Sequence, residues 1–237
     1  MAGHLGPVRV AVDDGRAASM TDVAAHAERI CRSRAKRALD IAFALAGLVI
    51  TAPVWVVAPV CIWLEDRGPI FYRQARSGRR GQQFMVTKFR SMVVDAERHG
   101  ARQATAGDAR VTRFGRVMRA TAMDEVPQLI NILNGDMSVV GPRALRPGEI
   151  EAEGDGRLVA LEDVPGFEVR ALVRPGLTGV AQIYASRSLP RPGKFRYDRL
   201  YIRRQSFWLD VRLILLSIWI SVSGRWEHRG SSRPPIT

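Results

Sequence analysis

A long apolar stretch, residues 41–64, carries no charged side chain. As one straight helix it would reach about 36 Å, enough to cross a bilayer core of about 30 Å. Pro53 lies in the middle of the stretch and Pro59 follows it, and each proline removes a backbone donor and kinks a helix. The pattern therefore favours two helices with a break at Ala52-Pro53 over one straight helix.

Basic residues flank this stretch on both sides. Those before it are Arg32, Arg34, Lys36 and Arg37, and those after it are Arg67, Arg73, Arg76, Arg79 and Arg80. Because basic flanks stay on the cytoplasmic side of a membrane, both ends of the stretch are expected on that side. A re-entrant helix-break-helix, which enters and leaves by the same face, satisfies both flanks. A straight transmembrane helix is the alternative.

Shorter patterns predict further helices and a small β element. A helix is predicted over residues 22–37, with Val23, Ala24, Ala27 and Ile30 on one side. Residues 70–74 and 84–89 predict the two strands of a hairpin around a basic turn at 78–81. Other expected elements are an exposed helix (93–105), a basic helix (110–120), an acidic irregular surface segment (149–163), a strand (169–173) and a helix from residue 194.

Residues 206–223 form a second largely apolar segment. Its purely apolar core is too short to span a bilayer. Trp208 and Trp219 lie toward its two ends, which is typical of a helix lying in the membrane interface. A buried core helix is the alternative.

Composition narrows the classes of partner and site. With Lys+Arg 36 against Asp+Glu 23 in 237 residues, the net charge of +13 indicates a polyanionic partner. The cysteines, Cys31 and Cys61, form no disulfide framework, and the four scattered histidines lack the spacing of a zinc site. The sequence contains no Walker-type loop, no G-x-G-x-x-G and no G-x-S-x-G motif.

Two adjacent carboxylates, Asp124 and Glu125, precede a short helical pattern. Pro127 fits the first turn of that helix, and Asn134-Gly135 fits its end. Its expected apolar face consists of Leu129, Ile130, Ile132 and Leu133. The dipole at a helix N-terminus favours ionised carboxylates, which can act as nucleophile, metal ligand or base. The plainer alternative is an N-cap beside a solvated charge.

Basic residues bracket this carboxylate pair. Arg110, Arg113, Arg116 and Arg119 precede it, and Arg143 follows it. Guanidinium groups match phosphate oxygens bidentately, and a carboxylate pair can hold a divalent cation or attack phosphorus. The combination indicates chemistry on phosphate groups.

Four motifs, in this order, resemble the bacterial sugar transferase family, the monotopic phosphoglycosyl transferases. They are Lys88-Phe89-Arg90-Ser91-Met92, Asp124-Glu125-Val126-Pro127-Gln128, the segment 135–143 that ends in Gly141-Pro142-Arg143, and the segment 174–179. The resemblance implies transfer of sugar-1-phosphate from a nucleoside-diphosphate sugar, a UDP-sugar above all, to polyprenyl phosphate in surface glycan assembly. It also implies a membrane-bound enzyme with its active site on the cytoplasmic face of the bacterial inner membrane.

The same resemblance implies roles for individual residues. Asp124 is expected to attack the sugar-bearing phosphate and form an aspartyl-phosphosugar, with Glu125 as its partner and Mg²⁺ held by the two carboxylates. The expected phosphate- and substrate-binding residues are Lys88, Arg90, Arg119, Gly141, Pro142, Arg143 and Asp198. For Asp198, a plain salt bridge to an arginine is the alternative.

The sequence departs from the family pattern at Ala144, Val180 and residues 184–186. These departures bear on which sugar is transferred more than on the type of reaction. One rival function is a non-catalytic, membrane-anchored protein whose basic face binds anionic lipid or nucleic acid. It gives no reason for the carboxylate pair, and the interleaved aromatic residues of a single-strand binding surface are missing, so no nucleic-acid partner is expected. Another rival is a one-step transferase in which the pair only holds Mg²⁺.

The expected fold is mixed α/β and helix-dominated, with a small β element, in a monotopic membrane protein with interfacial amphipathic helices. Its expected parts are a disordered tail (1–20), an N-terminal helix with the re-entrant hairpin (21–67), a cytoplasmic catalytic domain that ends in the interfacial helix (68–224), and a second tail (225–237). No charged segment followed by a short apolar one opens the chain, so a signal peptide is not expected.

Overall fold

The computed structural model describes residues 20–98, 107–152, 158–186, 189–224 and 226. The helices are α1 (Met20–Arg32), α2 (Arg34–Ile50), α3 (Ala52–Asp66), α4 (Arg113–Ala120), α5 (Gln128–Asn134), α6 (Phe167–Arg170), α7 (Val180–Tyr184), α8 (Arg191–Arg204) and α9 (Phe207–Val222). The strands are β1 (Phe71–Ser77), β2 (Gln83–Phe89), β3 (Ser138–Val140), β4 (Ile150–Ala152), β5 (Leu158–Ala160) and β6 (Gly176–Thr178). The predicted helix-dominated α/β fold is confirmed, whereas the two predicted tails lie almost wholly outside the described residues.

The N-terminal helix is shorter than predicted. α1 ends at Arg32, and the hydroxyl of Ser33 accepts a hydrogen bond from the backbone N–H of Lys36 at 3.3 Å. The prediction of one helix over 22–37 is therefore wrong at its end, because Ser33 caps a new helix. The predicted apolar side is confirmed, since Val23, Ala27 and Ile30 are buried.

The charge-free stretch is divided between α2 and α3, which meet at Thr51 with a bend of 58°. Pro53 lies in the first turn of α3, where its missing N–H costs little, and Pro59 lies inside α3 without ending it. No helix in the described part of the chain reaches by itself the length and hydropathy needed to cross a membrane, but α2 and α3 reach them as a bent pair. The predicted helix-break-helix is confirmed, but the break lies at Thr51 rather than at the predicted Ala52-Pro53, because proline is accepted in the first turn of the second helix.

Strands β1 and β2 form the predicted antiparallel hairpin, with Phe71 opposite Phe89 and Ser77 opposite Gln83. A second pairing was not predicted: β3 and β6 run parallel, with Ser138 opposite Gly176 and Val140 opposite Thr178. This pairing brings the segment that follows β3 against a strand almost forty positions later in the chain.

Three further predictions need correction. The exposed helix over 93–105 is wrong where the structure describes it, since residues 94–98 form turns, and residues 99–105 lie outside the described part. The strand over 169–173 is wrong because α6 begins at Phe167. The acidic segment 149–163 is not irregular throughout: β4 and β5 pair as a hairpin, and Leu161 is fully buried.

Most buried apolar side chains form one core beneath the hairpin and between α1, α2, α5 and β3. Apolar side chains remain exposed on two elements. On α2 and α3 they include Val49, Ile50, Val56, Trp63 and Leu64, and on α9 they include Phe207, Trp208, Leu215, Ile218, Trp219 and Val222. These two groups are called the exposed apolar surface below. The opposite side of α9 is buried, so this helix packs on the core as well as facing outward.

Candidate active site

The carboxylate pair lies in a short 3₁₀ turn, Met123–Glu125, between α4 and α5. The turn is preceded by Ala122, whose backbone adopts the left-handed conformation with φ 58° and ψ 20°. Alanine rarely adopts this conformation, which costs roughly 1 kcal/mol or more. The chain therefore accepts local strain at the residue that sets the direction of Asp124 and Glu125.

Glu125 receives positive charge from two elements. The ammonium group of Lys88, on β2, donates to Oε1 of Glu125, and the guanidinium of Arg143 donates to the same oxygen at 3.4 Å. Burial alone would raise the pKa of Glu125, but the charges of Lys88 and Arg143 outweigh burial and hold that pKa well below its usual range. Glu125 is therefore ionised at neutral pH.

Asp124 is shifted in the opposite direction. Asp124 is only 9% exposed. Its burial, together with the negative charge of Glu125, raises the pKa of Asp124 to about 6. Lys88, Arg119 and Arg143 oppose this rise without cancelling it. At neutral pH Asp124 is mostly a carboxylate, but one whose charge is poorly stabilised and which is therefore more basic than an ordinary aspartate.

A small pocket, open to solvent, adjoins the pair and is lined by Glu125. Its lining combines cations from β1, β2 and the segment after β3 with one carboxylate and several small or apolar side chains. The lining residues are Arg76, Val86, Lys88, Glu125, Gln128, Met137, Arg143, Ala144, Gly176 and Leu177. The walls come from the hairpin on one side and from the β3–β6 pairing on the other.

Gly141 and Pro142 hold Arg143 in this pocket through backbone contacts. Gly141 donates its N–H to the carbonyl of Thr178 at 2.9 Å, and Gly176 donates to the carbonyl of Pro142 at 2.8 Å. A Cβ atom on Gly141 would lie 2.5 Å from the carbonyl oxygen of Arg174, so the two chain segments approach as closely as they do because Gly141 has no side chain. In this structure the two residues pack against β6 rather than line the pocket.

Buried polar side chains fix β3 at both of its ends. The ammonium group of Lys36 donates to the carbonyl of Val140 at 3.0 Å and to Oδ2 of Asp210 at 2.9 Å. The Tyr201 hydroxyl donates to Oδ1 of Asp210 at 2.9 Å. Oδ1 of Asp40 accepts two hydrogen bonds, one from the hydroxyl of Ser138 and one from the backbone N–H of Val139, both at 2.9 Å. The sequence showed Lys36 only as part of a basic flank and gave no role to Asp40, Tyr201 or Asp210, because nothing near these residues in the chain indicates their partners.

The predicted site residues do not all meet in one place. Lys88, Arg119, Arg143 and the carboxylate pair act on one another. Arg90 instead pairs with Asp66 at the end of α3.

Asp198 accepts from Arg170 at 3.0 Å, and Arg170 donates to the carbonyl of Arg143. Asp198 thus lies behind Arg143, in the salt bridge that the sequence left open as its alternative.

Of the two predictions for α5, the end of the helix is confirmed and the apolar face is correct only in part. The stop at Gly135 is confirmed by its φ of 90°. The expected apolar face is correct for the buried Leu129 and Ile132, but wrong for Ile130, which is 45% exposed. Gln128 is buried in its place, and it lines the pocket together with Arg76. Both were overlooked as site residues, since a glutamine in a motif and one arginine among many carry no distinct local signal.

Within the described residues, no group of three or more His, Cys, Asp or Glu side chains is arranged to bind a metal ion. Asp124 and Glu125 are a pair of adjacent carboxylates. Two carboxylates beside a cationic pocket match the way proteins hold Mg²⁺, which usually takes one or two carboxylates together with waters and substrate phosphates. The donor set is therefore chemically suited to Mg²⁺.

Comparison with known proteins gives relatives over most of the chain. A relative from Aeromonas hydrophila, named UDP-N-acetylgalactosamine-undecaprenyl-phosphate N-acetylgalactosaminephosphotransferase, is 36% identical over 192 residues, or 80% of this chain and 44% of its own length. A UDP-glucose:undecaprenyl-phosphate glucose-1-phosphate transferase from Klebsiella pneumoniae is 38% identical over 189 residues, or 78% of this chain and 39% of its own length. One of the same name from Caulobacter vibrioides is 36% identical over 195 residues, or 80% of this chain and 70% of its own length.

The chain thus spans less than half the length of the first two of these relatives. The model of the family described as bacterial sugar transferase matches residues 31–224, which include α2 to α9, the carboxylate pair and the pocket. This match covers most of the chain, and it agrees with the motifs that carried the resemblance. The chain belongs to the bacterial sugar transferase family.

Proposed function

We propose that this chain transfers a sugar-1-phosphate from a UDP-sugar to polyprenyl phosphate, as an early membrane step in the assembly of a surface glycan. The observation that carries the proposal is the placement of Asp124 and Glu125 beside a pocket to which Arg76, Lys88 and Arg143 bring positive charge. The relatives' names support the same donor and acceptor classes. A lipid- or nucleic-acid-binding role would leave the opposite pKa shifts of the two carboxylates without a use.

In the first step, an oxygen of Asp124 attacks the phosphorus that bears the sugar. A bond forms between this oxygen and phosphorus, the bond from phosphorus to the bridging oxygen breaks, and UMP leaves with the electron pair. The raised basicity of Asp124 favours attack, while Lys88, Arg119 and Arg143 lower the repulsion between two anions. In the second step, a phosphate oxygen of the lipid attacks the same phosphorus and Asp124 leaves.

Mg²⁺ fits this site as a cofactor, with Asp124 as the preferred ligand because Glu125 already accepts from Lys88 and Arg143. When bound, such an ion neutralises charge on the diphosphate. Glu125 is the second member of the pair. Its ionised state keeps Lys88 and Arg143 oriented along the pocket wall.

The bent pair α2 and α3 is the proposed membrane anchor, inserted as a re-entrant hairpin from the cytoplasmic face of the bacterial inner membrane. Two observations support this: the 58° bend, and the exposed apolar surface on α2, α3 and α9. An exposed surface of this kind is costly in water and favourable against lipid. Such an anchor would keep the pocket near the depth at which the phosphate of a lipid acceptor lies.

The test uses the purified full-length chain in detergent with Mg²⁺ and a panel of UDP-sugars, without acceptor lipid. A two-step enzyme releases UMP in a burst no larger than the enzyme concentration and retains labelled sugar phosphate on the protein. The label is expected to be lost at alkaline pH or with hydroxylamine, and to be absent in Asp124→Asn. Asp163→Asn, which changes an exposed carboxylate in another 3₁₀ turn, is the matched control.

The outcomes separate the rival functions. Transfer that needs both substrates together, with no acceptor-free burst and no labelled protein, would favour the one-step transferase in which the pair only holds Mg²⁺. Absence of UMP release with every UDP-sugar, with or without polyprenyl phosphate, would contradict the transferase proposal itself.

A further inference from the structure

The lining of the pocket contains a half-buried arginine, Arg76, which the sequence presented only as one of the basic residues after the apolar stretch. The guanidinium of Arg76 donates from Nη1 to the carbonyl of Ala144 at 3.1 Å. Burial, together with the nearby charges of Arg143 and Arg146, lowers the pKa of Arg76 to about 10, so this side chain is still a cation at neutral pH. A half-buried cation close to two others is electrostatically unfavourable, and an anion bound among them lowers that repulsion.

The charges that line the pocket do not balance. Arg76, Lys88 and Arg143 supply three positive charges, and Glu125 supplies one negative charge, which leaves an excess of two positive charges in the lining. Arg146, whose charge also acts on Arg76, donates to the carboxylate of Glu97 at 2.7 Å and is not counted in this sum. A phosphate group brings the charge that this excess requires, and guanidinium groups match its oxygens bidentately.

Gln128 provides a second, independent observation. It opens α5, its residue is only 4% exposed, and it lines the same pocket. Its amide nitrogen Nε2 is buried, and no acceptor among the described residues lies within hydrogen-bond distance of it. A buried donor without an acceptor lowers the stability of the fold, so its presence beside cations indicates an acceptor that arrives with a ligand.

We propose that Arg76 and Gln128 bind a phosphate group of the substrate in this pocket, with the guanidinium and the amide N–H donating to its non-bridging oxygens. The proposal rests on the proposed function and extends its binding site to two further residues. The diphosphate of a UDP-sugar and the phosphate of a polyprenyl acceptor present the same group, and binding of each can be measured separately.

The experiment measures dissociation constants of the full-length chain in detergent with Mg²⁺, by calorimetric titration with UDP in one arm and with geranyl phosphate in the other. Arg76→Gln is expected to weaken binding in at least one arm by about 10- to 100-fold, as for loss of a hydrogen bond to a charged group. Arg76→Lys keeps the positive charge but loses the bidentate guanidinium, so its dissociation constant should lie between those of Arg76→Gln and the unchanged chain. Arg73→Gln, an exposed arginine on the same strand, should stay within about twofold.

Gln128→Met separates binding from structure, because it keeps the side-chain volume and removes the unpaired amide. A binding role predicts weaker affinity by about tenfold, with an unchanged or higher melting temperature in the absence of ligand. Weaker binding of UDP would show that the site binds the donor's phosphate, and weaker binding of geranyl phosphate would show that it binds the acceptor's phosphate. Either result supports the phosphate site.

Unchanged affinity in both arms for Arg76→Gln and Gln128→Met would overturn the inference, as would a lower melting temperature of Gln128→Met with affinity retained. These results would leave the proposed function standing if the unchanged chain still releases UMP. An unchanged chain that binds neither probe and releases no UMP would overturn the inference and the proposed function together.

Discussion

The ammonium nitrogen of Lys36 lies 2.9 Å from Oδ2 of Asp210, and these two side chains are only 10% and 1% exposed. The pair joins α2 to α9 across 174 positions of the chain. Because Lys36 also donates to the carbonyl of Val140, the ion pair fixes the end of β3. The next residues, Gly141 and Pro142, pack against β6 and lead to Arg143, which lines the pocket.

Lys36→Met should lower the free energy of unfolding by about 3–5 kcal/mol, because it leaves the Asp210 carboxylate buried without its cation. Chemical denaturation measures the change. The double variant Lys36→Met with Asp210→Leu should recover part of the loss, since no charge is then left unpaired. Arg32→Met is the control: it breaks an exposed pair with Glu28 at 3.0 Å and should cost no more than about 0.5 kcal/mol.

Gly176→Ala should disturb the pocket wall. A Cβ atom there would overlap the backbone of Gly141 and the carbonyl of Thr178, so we expect a loss of about 1–3 kcal/mol of stability and weaker binding of UDP. Gly47→Ala is the matched control, because its Cβ meets only a methyl group of Leu129, at 2.9 Å. That side chain can move, and alanine favours the helix. Equal stability of the two variants would contradict the importance of the close β3–β6 contact.

The parts of the fold that could be predicted depend on local patterns. The break before Pro53, the hairpin of β1 and β2, and the carboxylate pair beside α5 each have their signal within a few residues. The parallel pairing of β3 with β6 has none, since each strand is three residues long and its partner is distant in the chain. The same holds for Lys36 with Asp210, and for Arg76, which resembles the neighbouring arginines in sequence and is distinguished only by its place in the pocket. At residues 169–173, valines suggested a strand, but packing formed the short helix α6.

Ala122→Gly should relieve the strain before the carboxylate pair. Glycine adopts a φ of 58° without cost, and this gain offsets the greater entropy of the unfolded chain. Stability should be retained or rise by up to about 1 kcal/mol, measured by thermal unfolding. Ala171→Gly, at an ordinary φ of −71°, should instead lose about 0.4–1 kcal/mol. A comparable loss in both variants would show that Ala122 is not strained.

Asp124→Asn should stabilise the protein at neutral pH while it abolishes transfer. The folded pKa of Asp124, about 6, lies above its usual value of 3.8, so the folded state binds more protons than the unfolded state between these values. The stability contributed by Asp124 is therefore present below about pH 4 and is lost as the pH rises through 6. In EDTA, the melting temperature of Asp124→Asn minus that of the unchanged chain should grow from pH 4 to pH 7. A constant difference would contradict the raised pKa.

Pro53→Ala should weaken the break at Thr51, because it restores a backbone donor in the first turn of α3. With a re-entrant hairpin, tags on either side of α2–α3 are both cytoplasmic, and Pro53→Ala should move a fraction of the chains to a spanning topology. Protease accessibility of the tags in inverted vesicles measures this. Pro59→Ala, inside the continuous α3, should leave the topology unchanged. A periplasmic tag in the unchanged chain would contradict the re-entrant proposal.

The 174 positions between Lys36 and Asp210 also set the order in which a newly made chain can mature. At a synthesis rate of about 5–20 residues per second, Asp210 is made roughly 9–35 s after Lys36. For most of that interval the proposed anchor, α2 and α3, has already been made, while the end of β3 still lacks its contact with α9. If the proposed anchor inserts as soon as it is made, the chain is anchored before the pocket is complete.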